Sequence, residues 1–196
     1  DLLMVAAYLA LLGLGVLALP WPVAFLAALL LTGLVGALLE RLAYRPLRQA
    51  PRLSLLISAI GASFLLENLA LVFIGGRPQP FPSPAIFAGT LTLGPFYLPR
   101  LSLYIPIITL VLLAGLFFLV YCTRVGMALR ALAYDWQATL MLGIQVDRLI
   151  SLTFVLGSVL AAVGGILWVL KYPQVNPLLG IIPGLKAFIA AVLGGI

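Results

Sequence analysis

Residues 101–122 read LSLYIPIITLVLLAGLFFLVYC, an apolar run without a charged side chain. A transmembrane helix needs about 20 mostly apolar residues to cross a hydrocarbon layer about 30 Å thick, and this run has that length. Pro106 predicts a kink near its start, because proline removes a hydrogen bond from the helix backbone. The stretch therefore predicts an α-helix that spans a lipid bilayer.

Apolar runs of similar length recur on both sides of this stretch. They cover residues 2–19, 23–39, 53–74 and 149–170, and another run starts near residue 184. The pattern predicts an all-α fold, a polytopic transmembrane helical bundle that forms a single domain over residues 1–196. Because the last run is too short to cross a membrane and the first residue is not methionine, we expect a fragment that lacks both ends of a longer protein.

The composition supports the same class of protein. Hydrophobic residues make up 64% of the chain and charged residues 8%, whereas a soluble domain carries about 25% charged residues. Most of the surface must therefore face the lipid bilayer, which is a partner of this chain. The net charge of +6 does not predict nucleic-acid binding, because the basic residues lie between apolar runs rather than on one face.

Metal and enzyme chemistry have little support in the sequence. Histidine is absent and Cys122 is the single cysteine, so we expect no metal site and no disulfide within the chain. No cofactor site, catalytic nucleophile–base pair or phosphate-binding G-x-x-x-x-G-K-[ST] loop is apparent. The sequence therefore favours a transport protein over an enzyme.

The arginines between the runs predict the topology. Residues 40–52 carry Arg41, Arg45, Arg48 and Arg52, and residues 123–148 carry Arg124, Arg130 and Arg148. The long segment 75–100 carries only Arg77 and Arg100. The positive-inside rule places the first two segments in the cytoplasm and the third outside. Prolines at 78, 80, 82 and 84 predict that this external segment is extended, either as a connector or as a docking surface.

Glu67 is the acidic residue inside a full predicted span. An ionisable group in hydrocarbon is costly and should face protein or water. Two interpretations stay open: a structural glutamate bonded to another helix, or part of a translocation path with Ser63 and Asn68. Helical spacing places Ser63 on the same inward face as Glu67.

Small residues recur at every fourth position in two of the runs. Such stripes allow the backbones of two helices to approach closely in lipid. They predict two packing seams, one formed by Ser54, Ser58 and Ala62 and one by Gly157, Ala161 and Gly165. The first seam is separate from the face of Glu67. The alternative is a pore lined by the same small faces.

The predicted cytoplasmic segment 123–148 contains an amphipathic pattern. Its apolar side chains fall on one helical stripe, which consists of Val125, Leu129, Leu132, Ala133, Trp136 and Leu140. Gly143 is expected to end the helix. The helix could be a rigid projection that transmits force from a soluble partner into the helical bundle, or it could rest on the membrane surface.

Several stretches resemble a known family. Arg130-Ala131-Leu132-Ala133, followed by Ala138 and Leu142-Gly143-Ile144, resembles the coupling loop with which ABC importer permeases dock on their ATPase. The whole chain is similar to the H-type permease subunit of branched-chain amino-acid ABC transporters. The matching stretches are residues 40–48, 56–61, 147–154, 186–188 and 190–195. Tyr134 departs from the family, which usually has an acidic or amide residue before Asp135.

The resemblance implies a fold of the ABC importer permease type and a function. The chain would be the permease subunit of an ATP-driven importer of branched-chain amino acids in the bacterial inner membrane. Its partners would be a second permease, two cytoplasmic ATPase subunits and an external substrate-binding protein. The residues that couple to the ATPase would be Gly126, Arg130, Ala131, Asp135, Ala138, Gly143 and Ile144. The alternatives are a permease for amides, urea or sugars, and a stand-alone secondary transporter or channel.

Overall fold

The computed structural model describes residues 1–47, 50–84, 86–87, 89–93 and 96–194. For residues 52, 90–93, 96–98 and 136–138 it describes the backbone only. Arg48 and Gly195, which contributed to the sequence predictions, lie outside the described residues. The chain divides into two compact units, residues 1–84 with 155–196 and residues 85–154.

Helices dominate both units. In chain order they are α1 (Leu2–Leu11), α2 (Trp21–Leu39), α3 (Arg52–Ile74), α4 (Arg100–Cys122), α5 (Arg124–Tyr134), α6 (Trp136–Met141), α7 (Val146–Lys171) and α8 (Ile181–Leu193). Two short antiparallel ladders accompany them. One pairs β1 (Gln79–Pro80) with β4 (Gln174–Val175), and the other pairs β2 (Thr90–Leu93) with β3 (Phe96–Pro99).

Four helical segments among the described residues are long and apolar enough to cross a membrane. They are Trp21–Leu47, Leu53–Ile74, Arg100–Cys122 and Val146–Lys171. Two shorter apolar helices, Leu2–Val16 and Ile181–Leu193, accompany them. The predicted all-α, polytopic transmembrane architecture is therefore confirmed.

Several helix ends differ from the apolar runs. Two helices begin about three residues early, α7 at Val146 and α8 at Ile181. The first helix ends with a π-helical turn at Val16, short of residue 19, because Ala18 has a left-handed backbone (φ +48°) ahead of Pro20. The second helix does not stop at Leu39 but continues through a π-helical and a 3₁₀ turn to Leu47. At 1.5 Å per residue it is about 40 Å long, so its charged end extends beyond a hydrocarbon layer of about 30 Å.

Small residues bring the helices of the first unit together. A Cβ atom on Gly13 would lie 3.0 Å from the Ala24 Cβ, and one on Gly33 would lie 3.1 Å from the Val159 Cγ2. A Cβ on Gly165 would collide with the carbonyl oxygen of Leu3. Close backbone approach thus connects α7 with α1, and the π-helical turn after α1 with α2. Between α2 and α7, a valine side chain packs on the backbone of Gly33.

The residues of the two stripes of small residues differ in how closely other helices approach them. In the α7 stripe Gly165 makes the close contact, whereas a Cβ on Gly157 would meet no described atom within 4 Å. In the α3 stripe the Ser58 hydroxyl donates to the Ala43 carbonyl at 3.3 Å. Ala62 lines a cavity.

The proline-rich segment after α3 is extended, as its sequence predicts. Gln79 and Pro80 pair with Val175 and Gln174, and the Phe81 N–H donates to the Pro173 carbonyl at 3.1 Å. Phe81 is buried at this contact. Within the first unit, the loops that follow α3 and α7 are therefore tied together.

Candidate functional site

Glu67 and Ser63 line the same cavity in the first unit. The cavity has a volume of about 380 Å³, and its other lining residues are Ala59, Ile60, Phe64 and Ile181. Both polar residues lie on the half-buried side of α3. An acid and a hydroxyl therefore share an otherwise apolar space between α3 and the start of α8.

A second cavity of about 480 Å³ lies beside the same face of α3. Ser63 lines this cavity as well, together with Ala59, Ala62 and Leu66 of the same helix. Its far wall is built of small residues from α7 and α8: Ala161, Gly164, Gly184 and Ala187. Because these side chains are short, the space between the helices stays open.

Asn68 lies apart from Glu67 and Ser63. Its side chain is exposed, and its Nδ2 donates to the Phe64 carbonyl one turn earlier at 2.7 Å. Consecutive helix residues point about 100° apart, so Asn68 turns away from the face that Glu67 shares with Ser63.

Glu40 is a buried acid, although in the sequence it directly follows the apolar run 23–39. Its side chain is 2% exposed and lies in the π-helical turn that extends α2. A sequence signal could have revealed it, because buried small residues recur at every fourth position ahead of it: Ala24, Ala28, Thr32 and Gly36. Glu40 continues this stripe by one step.

In the second unit, α4 and α5 meet at a tight corner. The Thr123 hydroxyl donates to the Leu119 carbonyl at 2.5 Å and accepts a hydrogen bond from the Gly126 N–H at 3.1 Å, so it caps α5. Gly126 is buried, and a Cβ at this position would collide with the carbonyl oxygens of Leu119 and Val120. Gly126 thus permits a backbone contact that no other residue would allow.

Arg130 faces the end of α4. Its guanidinium carbon lies 5.3 Å from the centre of the Tyr121 ring, which is a cation–π distance. The Tyr121 ring in turn lies 4.4 Å from that of Phe117, one turn earlier in α4. Ala131 is half-buried, and its carbonyl accepts from the Asp135 N–H at 3.0 Å.

The expected single helix is interrupted at Asp135. This residue has an extended backbone (φ −147°, ψ 114°), which separates α5 from α6. Its carbonyl accepts from the Thr139 N–H at 3.2 Å and from the Thr139 hydroxyl at 2.7 Å. Aspartate favours such a helix-start position because its side chain competes with helical backbone bonding. The side chain of Ala138, another predicted coupling residue, lies outside the description.

Gly143 ends this pair of helices, as the sequence predicts. Its φ of +74° is the left-handed region that glycine adopts without strain. The Gly143 N–H donates to the Leu140 carbonyl at 3.0 Å, and the Ile144 carbonyl accepts from the Val146 N–H at 2.9 Å. The turn therefore leads directly into α7.

The whole chain is similar to a family of known proteins. The family described as branched-chain amino acid transport system / permease component matches residues 1–196. The high-affinity branched-chain amino acid transport system permease protein BraD of Pseudomonas aeruginosa is 39% identical over 191 residues, which are 96% of this chain and 62% of that protein. The permease protein LivH of the same kind of system in Escherichia coli is 40% identical over 177 residues, 88% of this chain and 57% of that protein.

A third relative is named for another solute. The xylose/arabinose import permease protein XylH of Sulfolobus acidocaldarius is 28% identical over 144 residues, 71% of this chain and 37% of that protein. The chain spans about three fifths of the length of BraD and LivH, and no solved structure matches it. One family matches every residue, and BraD and LivH are both named as permeases of such a system. This chain therefore belongs to the branched-chain amino acid transport system permease family.

Proposed function

We propose that this chain forms the membrane-spanning part of a permease subunit that imports branched-chain amino acids. The family match over residues 1–196 is the observation that carries the proposal. The membrane is the bacterial inner membrane, in keeping with the bacterial relatives BraD and LivH. The four long apolar helices supply the multi-pass body that such a subunit needs.

The energy for transport comes from partners. Two cytoplasmic ATPases drive the permease, a second permease completes the pathway, and an external binding protein delivers the substrate. The α5–α6 segment between α4 and α7 suits docking on an ATPase, because it is folded into helices and presents exposed apolar side chains such as Met127 and Leu140. Gly126, Arg130, Ala131, Asp135, Ala138, Gly143 and Ile144 are the residues proposed for this coupling.

The translocation path runs past Ser63 and Glu67. A branched-chain amino acid carries an ammonium group and an aliphatic side chain. The Glu67 carboxylate would attract the ammonium, and the apolar walls of the 380 Å³ cavity would accept the aliphatic part. Asn68, which bonds to its own helix, has a lesser role in this path.

Reconstitution of the full-length permease with its candidate partners tests the proposal. We expect ATP-dependent uptake of radiolabelled leucine into proteoliposomes when both permeases, the ATPases and the binding protein are present. Omission of the ATPases should abolish the uptake. A permease that never associates with an ATPase, or that accumulates leucine equally well without one, would rule out an ATP-driven importer.

Sugars are a second substrate class, because XylH is named as a xylose/arabinose permease. Xylose carries no ammonium group, so the Glu67 carboxylate could accept hydrogen bonds from its hydroxyls but would not attract it by charge. Competition between labelled leucine and unlabelled xylose in the same proteoliposomes distinguishes the two classes. We expect leucine, isoleucine and valine to compete and xylose to have no effect.

A further inference from the structure

The two ends of the α5–α6 segment are held very differently. At the α4 end, Thr123 joins the last turn of α4 to the first turn of α5 through two hydrogen bonds. Gly126 brings the α5 backbone against the carbonyls of Leu119 and Val120. Arg130 then lies over the Tyr121 ring at 5.3 Å, one turn further along α5. Three contacts of different kinds therefore fix the angle between these two helices.

At the α7 end, residues 141–143 are exposed. Met141 and Leu142 are 89% and 74% exposed. A Cβ atom at Gly143 would meet no described atom within 4 Å, and the turn depends on the left-handed conformation of this glycine. The α6 helix that precedes it is only six residues long. Residues 141–143 themselves thus offer little resistance to a change of angle, whereas Val146 at the start of α7 is buried.

We propose that Tyr121 and Arg130 are positioning residues that make α4 and α5 move as one rigid elbow, while Gly143 is the joint at which α7 changes its angle. This inference rests on the proposed docking of the α5–α6 segment on an ATPase. Arg130 then acts through Tyr121 on its own chain rather than as a direct contact for the ATPase. Force applied to α5 reaches the membrane first through α4.

Substitutions of Tyr121 and Arg130 test whether Arg130 positions α5 against α4 or contacts the ATPase directly. In the full complex, Tyr121→Leu and Arg130→Met should each lower the substrate moved per ATP about two- to fivefold, the effect expected on removing an exposed cation–π contact. The affinity of the permease for the ATPase should not change. Tyr121→Phe, which retains the aromatic ring, is the matched control and should behave like the parent protein. The double variant Tyr121→Leu/Arg130→Met should be no worse than either single variant, because both remove the same contact.

Two results would overturn the proposal. One is weaker ATPase binding by Arg130→Met with normal behaviour of Tyr121→Leu, which would make Arg130 a direct contact. The other is an unchanged coupling ratio in both single variants. If the parent permease binds no ATPase at all, the proposed function fails, and a measurement on the permease alone decides whether the elbow exists.

Spin labels on the two helices provide that measurement. The labels are placed at Leu110→Cys in α4 and Tyr134→Cys in α5, two exposed positions, in a Cys122→Ser background. We expect a narrow distance distribution in the parent and in Tyr121→Phe, and a measurably broader one in Tyr121→Leu and Arg130→Met, in which the Thr123 and Gly126 contacts remain. A distribution that is already broad in the parent, or that stays narrow in Tyr121→Leu, would show that the pair does not fix the elbow.

Discussion

At the scale of single residues, glycine sets how closely α7 approaches α1. Gly165 lies where a Cβ would collide with the Leu3 carbonyl, whereas Gly157, two turns earlier, has open space around it. We expect Gly165→Val to destabilise the fold by about 1–3 kcal/mol, the usual cost of overpacking. Gly157→Val should leave stability nearly unchanged. Thermal unfolding of the two variants in the same detergent tests this, and equal losses in Tm would contradict the role given to Gly165.

Glu67 is the residue on which the proposed path depends most. Glu67→Gln keeps the shape of the side chain and removes its charge, so we expect normal expression and an unchanged Tm. Leucine uptake should fall about ten- to hundredfold, because a charge-assisted contact is worth about 1.5–3 kcal/mol. Asn68→Ala is the comparison variant and should lower uptake much less, since Asn68 bonds to the Phe64 carbonyl of its own helix. Normal uptake by Glu67→Gln would make Glu67 a structural residue.

At the scale of elements, the α5–α6 segment shows what periodicity leaves out. The apolar stripe from Val125 to Leu140 fits one continuous helix, but the backbone breaks at Asp135. The stripe reports which side chains are apolar and not whether the backbone between them is helical. Thr139 donates two hydrogen bonds to the Asp135 carbonyl, and these bonds begin a new helix beyond the extended backbone of Asp135. Their formation depends on local capping geometry, which the hydrophobic period does not contain.

The turn at Gly143 gives a prediction for this segment. Isoleucine is disfavoured in the left-handed region by about 1–2 kcal/mol, so Gly143→Ile should distort the turn and tilt α6 away from its docking position. We expect membrane insertion to persist, ATP hydrolysis to continue and leucine uptake per ATP to fall about tenfold. Gly143→Asn, which tolerates a positive φ, should remain close to the parent. Simultaneous assays of phosphate release and uptake measure the ratio, and normal coupling in Gly143→Ile would refute the role of the turn.

At the scale of the whole molecule, the sequence predicts the spans far better than the sites. The apolar runs identify all four long spans, because a backbone in lipid must satisfy its hydrogen bonds internally. The first run, residues 2–19, forms a shorter helix that ends at Val16. Hydropathy alone hides the burial of Glu40, because Glu40-Arg41 at the end of an apolar run is typical of a membrane boundary. The cavity shared by Ser63 and Glu67 also depends on Ile181 of α8, which is distant in sequence. Contacts of this kind form only when the helices assemble.

The predicted topology can be tested with the single cysteine of the chain. Cys122 is exposed at the end of α4, beside the segment that carries Arg124, Arg130 and Arg148. Positive residues are retained on the cytoplasmic side during insertion, so a membrane-impermeant maleimide should label Cys122 in inverted vesicles and not in intact cells. In a Cys122→Ser background, Ser83→Cys in the exposed proline-rich segment should show the opposite pattern. Labelling of Cys122 from outside intact cells would reverse the orientation and would remove the α5–α6 segment from the reach of any cytoplasmic ATPase.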